Sequence, residues 1–213
     1  MKTYFTADLH VNHAKILQYC NRPFSSVEEM NETLINNWND RVQPEDTVYH
    51  LGDFGWGSVD KLLPIFNRLN GKRKILIKGN HDKEGVKLPW TSIHDMLEVR
   101  IDNKIYQLSH YPMRSWNKSF HGARHLFGHC HGTLSPHGLS CDVGVDCWKF
   151  SPVSTQQLDN IFDKLSRQGQ GKPMPKGVIW HAQRHMDYGF EDFFIGDGSM
   201  DNVDPDSLFE QDN

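Results

Sequence analysis

Side chains able to ligate a metal gather at five places in this sequence, each just beyond a short apolar run. Asp8 and His10 follow Tyr4-Phe5-Thr6-Ala7, and Asp53 follows Val48-Tyr49-His50-Leu51-Gly52. Gly79-Asn80-His81-Asp82 follows Ile75-Leu76-Ile77, His110 follows Ile105-Tyr106-Gln107-Leu108, and Gly128-His129-Cys130-His131 follows Leu126-Phe127. Imidazole suits borderline divalent ions such as zinc, iron, nickel and manganese, while a carboxylate neutralises charge and can bridge two ions. The chain has thirteen histidines, and five stand in these motifs. A lone Gly79-Asn80 would be ordinary turn chemistry, so the weight rests on the whole set. Asp8 and His10 are two apart, which in an extended or tightly turned segment points both to one side.

The elements that must deliver these residues are legible as strands, whose ends are where α/β proteins place their chemistry. Strands are expected at residues 2–7, at Thr47–Leu51 and before Asn80. Val99–Ile101 and Lys104–Tyr106 predict a hairpin turning at Asp102-Asn103, after which the sheet is expected to run antiparallel. Cys141–Asp146 reads as a final alternating strand. Val27, Met30, Leu34 and Trp38 mark a long amphipathic helix, and Val59, Leu62, Leu63, Phe66 and Leu69 a second. A helix is expected from Ala14 to Tyr19, and Leu158, Ile161, Phe162 and Leu165 make a closing one, capped by Pro152-Val153-Ser154.

Composition narrows the class. The 213 residues suffice for one well-packed catalytic unit with an appendage. No stretch approaches the roughly 18 apolar residues of a membrane span. Met1-Lys2-Thr3-Tyr4-Phe5 runs straight into the first strand, leaving no room for a secretory signal, so a cytoplasmic location is expected. Cys20, Cys130, Cys141 and Cys147 show no CxxC spacing, which indicates neither a zinc ribbon nor a disulfide framework. Cys130, between two ligand candidates, is expected to point the other way in an extended segment. The net charge of −4 falls unevenly: from Gly169 onward three basic residues face nine acidic ones, leaving the remainder at +2. That is too little for a broad duplex nucleic-acid face.

Asp8-x-His10, Gly52-Asp53, Gly79-Asn80-His81-Asp82, His110 and Gly128-His129-x-His131, in that order, resemble the calcineurin-like metallophosphoesterase superfamily. Asn21-Arg22-Pro23-Phe24, Val145-Asp146-x-Trp148 and Pro152-Val153-Ser154 resemble its small, single-domain bacterial and phage branch. The resemblance covers about residues 1–166. It implies an α/β sandwich of two mixed β-sheets flanked by α-helices, as a domain over residues 1–168 with a C-terminal extension, 169–213. It also implies two divalent metal ions, manganese first, with iron, zinc, nickel or magnesium as alternatives. Residue by residue, one ion would be held by Asp8, His10, Asp53 and His131, and the other by Asp53, Asn80, His110 and His129, with Asp53 bridging.

The activity so implied is hydrolysis of a phosphoester by a metal-bridging hydroxide, with His81 protonating the leaving oxygen. A phosphodiesterase for nucleotide-type or small diesters is favoured, because small relatives are commonly diesterases. Phe54-Gly55-Trp56-Gly57 also stands where the phosphoprotein-phosphatase branch has Asp and Arg. A phosphomonoesterase, a nuclease, and a metal-binding interaction scaffold are the other readings. His13 could aim at a phosphate from the first turn of its helix. Arg22 could clamp phosphate oxygens or be a solvated loop residue. Arg114 and Tyr111 could line the pocket, or the aromatic residues of that loop could simply pack. His50 reads as packed or supporting the ligands. Residues 169–175 read as a linker, followed by an aromatic segment expected to dock on the core or on a second subunit, and then an acidic tail. His181 and His185 are spaced as a zinc pair but lack a third ligand.

Overall fold

In the computed structural model, which describes residues 1–136 and 138–167, the first strand explains the layering. In β1 (Thr3–Thr6) Tyr4 and Phe5 point to opposite faces, and both are buried. Tyr4 joins Val48, Met30, Leu34, Trp38, Leu62 and Phe66 in one core. Phe5 joins Leu51, Ile77, Tyr106, Leu108, Leu126 and Phe162 in another. A strand apolar on both sides must be covered on both sides. Here helices cover one face and a second sheet covers the other, with the Phe5 and Tyr106 rings 5.4 Å apart across the gap.

In chain order β1 is followed by α1 (Ile16–Tyr19), α2 (Val27–Arg41), β2 (Thr47–His50), α3 (Val59–Arg68) and β3 (Arg73–Ile77). Then come β4 (Ser92–His94), β5 (Met96–Ile101), β6 (Lys104–Ser109), β7 (Arg124–Phe127), β8 (Ser140–Asp142), β9 (Val153–Ser154) and α4 (Thr155–Arg167). The first sheet has the order β4-β3-β2-β1-β9 and the second β5-β6-β7-β8. In the first sheet only β9 runs antiparallel to its neighbour. The fold is the expected α/β sandwich of two mixed sheets with flanking helices. Ser26 caps α2 by accepting the Glu29 N–H at 3.1 Å, while Glu29 accepts the Ser25 N–H at 2.7 Å, a reciprocal arrangement that fixes where the helix starts.

Several local expectations need correction. The hairpin turns at Asp102 and Asn103, both left-handed as a tight two-residue turn requires. In the second sheet only β5 and β6 pair antiparallel, however; β7 runs parallel to β6 because residues 110–123 cross over between them, and β8 runs parallel to β7. The predicted strand over Cys141–Asp146 ends at Asp142. Its carboxylate accepts the Gly144 N–H at 2.7 Å and the Gly132 N–H at 3.1 Å, turning the chain into one 3₁₀ turn at Val145–Cys147. Val153–Ser154 is itself an edge strand against β1, although the Ser154 hydroxyl still accepts the Gln157 N–H at the start of α4. The first helix begins at Ile16 rather than Ala14, leaving His13 in the preceding turn. The extension at 169–213, with His181 and His185, lies outside the described residues, as does any subunit contact through it. Among the described residues no helix is long and apolar enough to cross a membrane.

His125 on β7 ties the crossover to the sheet. It is fully buried between Trp116 and Phe127, and its Nε2 accepts the Met113 N–H at 2.8 Å. Burial pushes its pKa down from the ordinary imidazole value to about 4. A base depressed on folding stabilises the fold fully above the unfolded value, and that stability is lost as pH falls from about 6.5 toward 4, by on the order of 3 kcal/mol. Urea unfolding at pH 7 and pH 4.5 should therefore show a wide gap in stability that narrows in His125→Gln. An unchanged gap would remove His125 from the acid response.

Candidate metal centre

Lateral hydrogen bonds carry the sheets past their last regular residues and bring the five motifs together. In the first sheet Asp8 N–H donates to Gly52 O at 2.9 Å and His10 N–H to Asp53 O at 3.1 Å. In the second, Gly128 N–H donates to His110 O at 2.9 Å. The sheets are then joined through a ligand candidate, because His129 N–H donates to the Asp8 carboxylate at 2.9 Å. Gly128 and Gly144 both press on that carboxylate, and a Cβ on either would lie 2.6 Å from Asp8 Oδ2. Only glycine leaves room there.

Asp8, His10, Asp53, His129 and His131 all have left-handed backbones, with φ between 46° and 70°. This conformation is costly for residues with a Cβ and persists where the surroundings impose it. Five such residues among seven ligand candidates mark the place where the fold concentrates its backbone strain. The left-handed turn also corrects the reason given for Cys130: the segment is not extended, and Cys130 is buried because the flanking turns at His129 and His131 fold it inward.

All seven ligand candidates converge. Asp8, His10 and His131 offer atoms within 4.8 Å of one another, and so do Asp53, His110 and His129. Asp53 links the two groups, its Oδ2 lying 3.6 Å from His10 Nε2 and 3.4 Å from His110 Nε2. Asn80 Oδ1 is 3.0 Å from His110 Nε2.

Three features fit divalent cations. The set of two carboxylates, four imidazoles and one carboxamide is a borderline-ion donor set. His10 Nε2 is buried with no hydrogen-bond partner among the described residues, which is costly unless something positive meets it. His110 points Nε2 at two oxygens; burial lowers its pKa, but Asp53 outweighs burial and raises it to about 9. Asp53 thus favours a positive charge at that nitrogen. Burial likewise raises Asp8 to about 7, against the pull of His131 and His110.

The orientation of each ring is set from behind. His110 Nδ1 lies 2.7 Å from Leu51 O and His131 Nδ1 lies 2.7 Å from Asp146 Oδ2, which leaves Nε2 of both as the nitrogen available to a metal. His50, buried as expected, accepts the Gly52 N–H at 3.2 Å and steadies the turn before Asp53. Asp82, the last residue of the Gly79–Asp82 tetrapeptide, accepts the N–H groups of Asp53, Phe54 and Gly79 at 2.8, 2.9 and 2.8 Å. Its carboxylate thereby clamps the β2 loop to the β3 loop. Its only sequence signal was its place after His81.

Arg22 is neither a phosphate clamp nor a solvated loop residue. It is buried, with Nε and Nη2 on the two oxygens of Asp146 at 2.8 Å each. Its remaining donors reach Leu9 O at 2.9 Å and Asp8 O at 2.7 Å. The guanidinium therefore faces the back of the Asp8–His10 turn. His13 is buried beside the site, 5.5 Å from the His10 ring and 6.4 Å from the His81 ring. His81 donates its backbone N–H to Asp53 Oδ1 at 2.9 Å, and its half-buried ring lies 5.6 Å from that of His10. Tyr111 is half exposed with its ring 4.7 Å from His129, whereas Arg114 is an exposed residue farther along the same loop.

Comparison with known proteins agrees with this arrangement. A family model described as calcineurin-like phosphoesterase matches residues 1–201. An uncharacterized protein of Methanocaldococcus jannaschii is 36% identical over 172 residues, spanning 76% of this chain and 92% of its own. The gene 66 protein of Mycobacterium phage L5 is 29% identical over 181 residues, spanning 68% of this chain and 87% of its own. The crystal structure of a protein of unknown function from Aquifex aeolicus superposes with a TM-score of 0.60 at 28% identity, covering 75% of this chain and 98% of its own.

Proposed function

The chain belongs to the calcineurin-like phosphoesterase family, and from that premise we propose that it is a phosphodiesterase using two divalent cations, manganese first, on nucleotide-type or small diesters. The observation that carries the reading is Asp53 Oδ2, within 3.6 Å of His10 Nε2 and 3.4 Å of His110 Nε2 and so shared by both ligand groups. Asp8, His10, Asp53 and His131 would hold one ion, and Asp53, Asn80, His110 and His129 the other. When bound, the ions would supply Lewis-acid charge for the phosphoryl oxygens and lower the pKa of the attacking water.

The protein's own contribution is to position groups and move a proton. Asp53 Oδ1 fixes the His81 backbone at 2.9 Å, which sets the imidazole at the edge of the site. Histidine is the side chain suited to exchanging a proton at neutral pH. As water oxygen bonds to phosphorus and the bond to the leaving oxygen breaks, that oxygen takes the His81 proton and the proton from water passes to solvent. The diester preference is supported by Phe54-Gly55-Trp56-Gly57 after Asp53, which lacks the Asp and Arg of the phosphoprotein-phosphatase branch.

The test combines substrate choice with one substitution. With manganese, hydrolysis of bis-p-nitrophenyl phosphate should outpace that of p-nitrophenyl phosphate. His81→Asn should keep its manganese yet lose roughly 10²- to 10⁴-fold in turnover of a 2′,3′-cyclic nucleotide, whose leaving group needs a proton. Monoester preference would overturn the diesterase reading, and loss of metal together with turnover would make His81 structural.

A further inference from the structure

Two exposed aromatic rings flank the metal centre at opposite ends, and neither is used by the ligand set. Trp56 follows Asp53 by three residues and is 38% exposed. Its position is not loose, because its backbone N–H donates to Val11 O at 2.8 Å and Gly55 bridges to Val11. One face of the indole stacks on the buried His13 ring, with centroids 4.8 Å apart and planes 15° apart. Tyr19 supports His13 edge-on from 6.3 Å. The indole lies 5.7 Å from the His81 ring. At the far end Tyr111, 52% exposed, lies against His129 and His110.

A tryptophan held at a site mouth on a rigid stack loses little freedom when a flat ring settles on it. Trp38, by contrast, is 1% exposed and simply fills the core. Trp56 neighbours His81, so it stands on the side from which the leaving oxygen is protonated. We infer that Trp56 is the stacking platform for the departing half of the substrate, so that the diesters preferred are those whose leaving alcohol carries a nucleobase. This rests on the phosphoesterase reading above and adds to it which residue selects the leaving group. His13 then acts as a positioning residue behind the indole rather than as a phosphate contact.

The test uses the manganese-loaded full chain and compares adenosine 5′-phosphate with ribose 5-phosphate, which differ only by the base. Each is titrated as an inhibitor of bis-p-nitrophenyl phosphate hydrolysis, and its binding is measured independently by equilibrium dialysis. In the wild type the adenine compound should bind about 10-fold more tightly, the scale of one base–aromatic stack. Trp56→Ala should erase that ratio, Trp56→Phe should retain most of it, and Tyr111→Ala should leave it within about 2-fold. Equal binding in the wild type, a ratio that survives Trp56→Ala, or a ratio lost only in Tyr111→Ala would each overturn the platform. Absence of any phosphoester hydrolysis would instead overturn the enzymatic reading, and the dialysis ratio would still decide the role of Trp56.

Discussion

Asp53→Asn is expected to lower bound manganese from two equivalents to one or fewer and to slow diester hydrolysis by roughly 10³-fold or more. The substitution is close to isosteric, and the amide oxygen can still accept the His81 N–H that Oδ1 accepts now at 2.9 Å. What changes is charge at the shared position. Oδ2, between His10 Nε2 and His110 Nε2, either becomes an amide nitrogen that cannot ligate or remains an oxygen without the negative charge two cations need. Burial alone would raise the Asp53 pKa, yet the hydrogen bond from His110 and the nearby His10 hold it well below the usual carboxylate range. His110 and His10 therefore favour the ionised carboxylate, and its removal also withdraws the partner that raises His110. Elemental analysis of dialysed protein, beside kcat/KM for bis-p-nitrophenyl phosphate, checks both effects. Two full equivalents retained in the variant would dismantle the bridge.

The ligand candidates were legible in sequence because each follows an apolar strand of period two, and strand ends in an α/β fold share one edge. What could not be read was the conformation of the strand ends. Asp8, His10, Asp53, His129 and His131 have ordinary side chains, and nothing in their types announces left-handed backbones; glycines would have done so. The supporting carboxylates were also hidden. Asp82 acts through backbone N–H groups 28 and 29 residues away, and such donors carry no residue identity. The strands β4 and β9, of three and two residues, are too short for periodicity and exist only because β3 and β1 offer them edges. The parallel run of β7 and β8 depended on a crossover whose path is set by tertiary contacts, among them the buried His125 bond to Met113 N–H.

Arg22 shows most sharply how a residue's chemistry can be read correctly and its partner missed, since its fork grips a carboxylate 124 residues away. The two readings predict different losses. As a phosphate clamp, Arg22→Ala would raise KM and leave stability unchanged. As the buried counter-ion of Asp146, it is expected to destabilise the fold by about 3–5 kcal/mol, because a carboxylate is left buried beside carbonyls that have lost their donors. Burial raises the Asp146 pKa, but Arg22 and then His131 hold it low; without the guanidinium that pKa rises and the Asp146 grip on His131 Nδ1 weakens. The strained Asp8–His10 turn simultaneously loses the donors to Asp8 O and Leu9 O. Metal retention should therefore fall together with stability, while Arg22→Lys, which keeps the charge but not the fork, should recover only part of each. Urea unfolding and manganese content measured on the same preparations separate the cases. A variant within about 1 kcal/mol of wild type that keeps its metal but shows a raised KM would return Arg22 to the substrate.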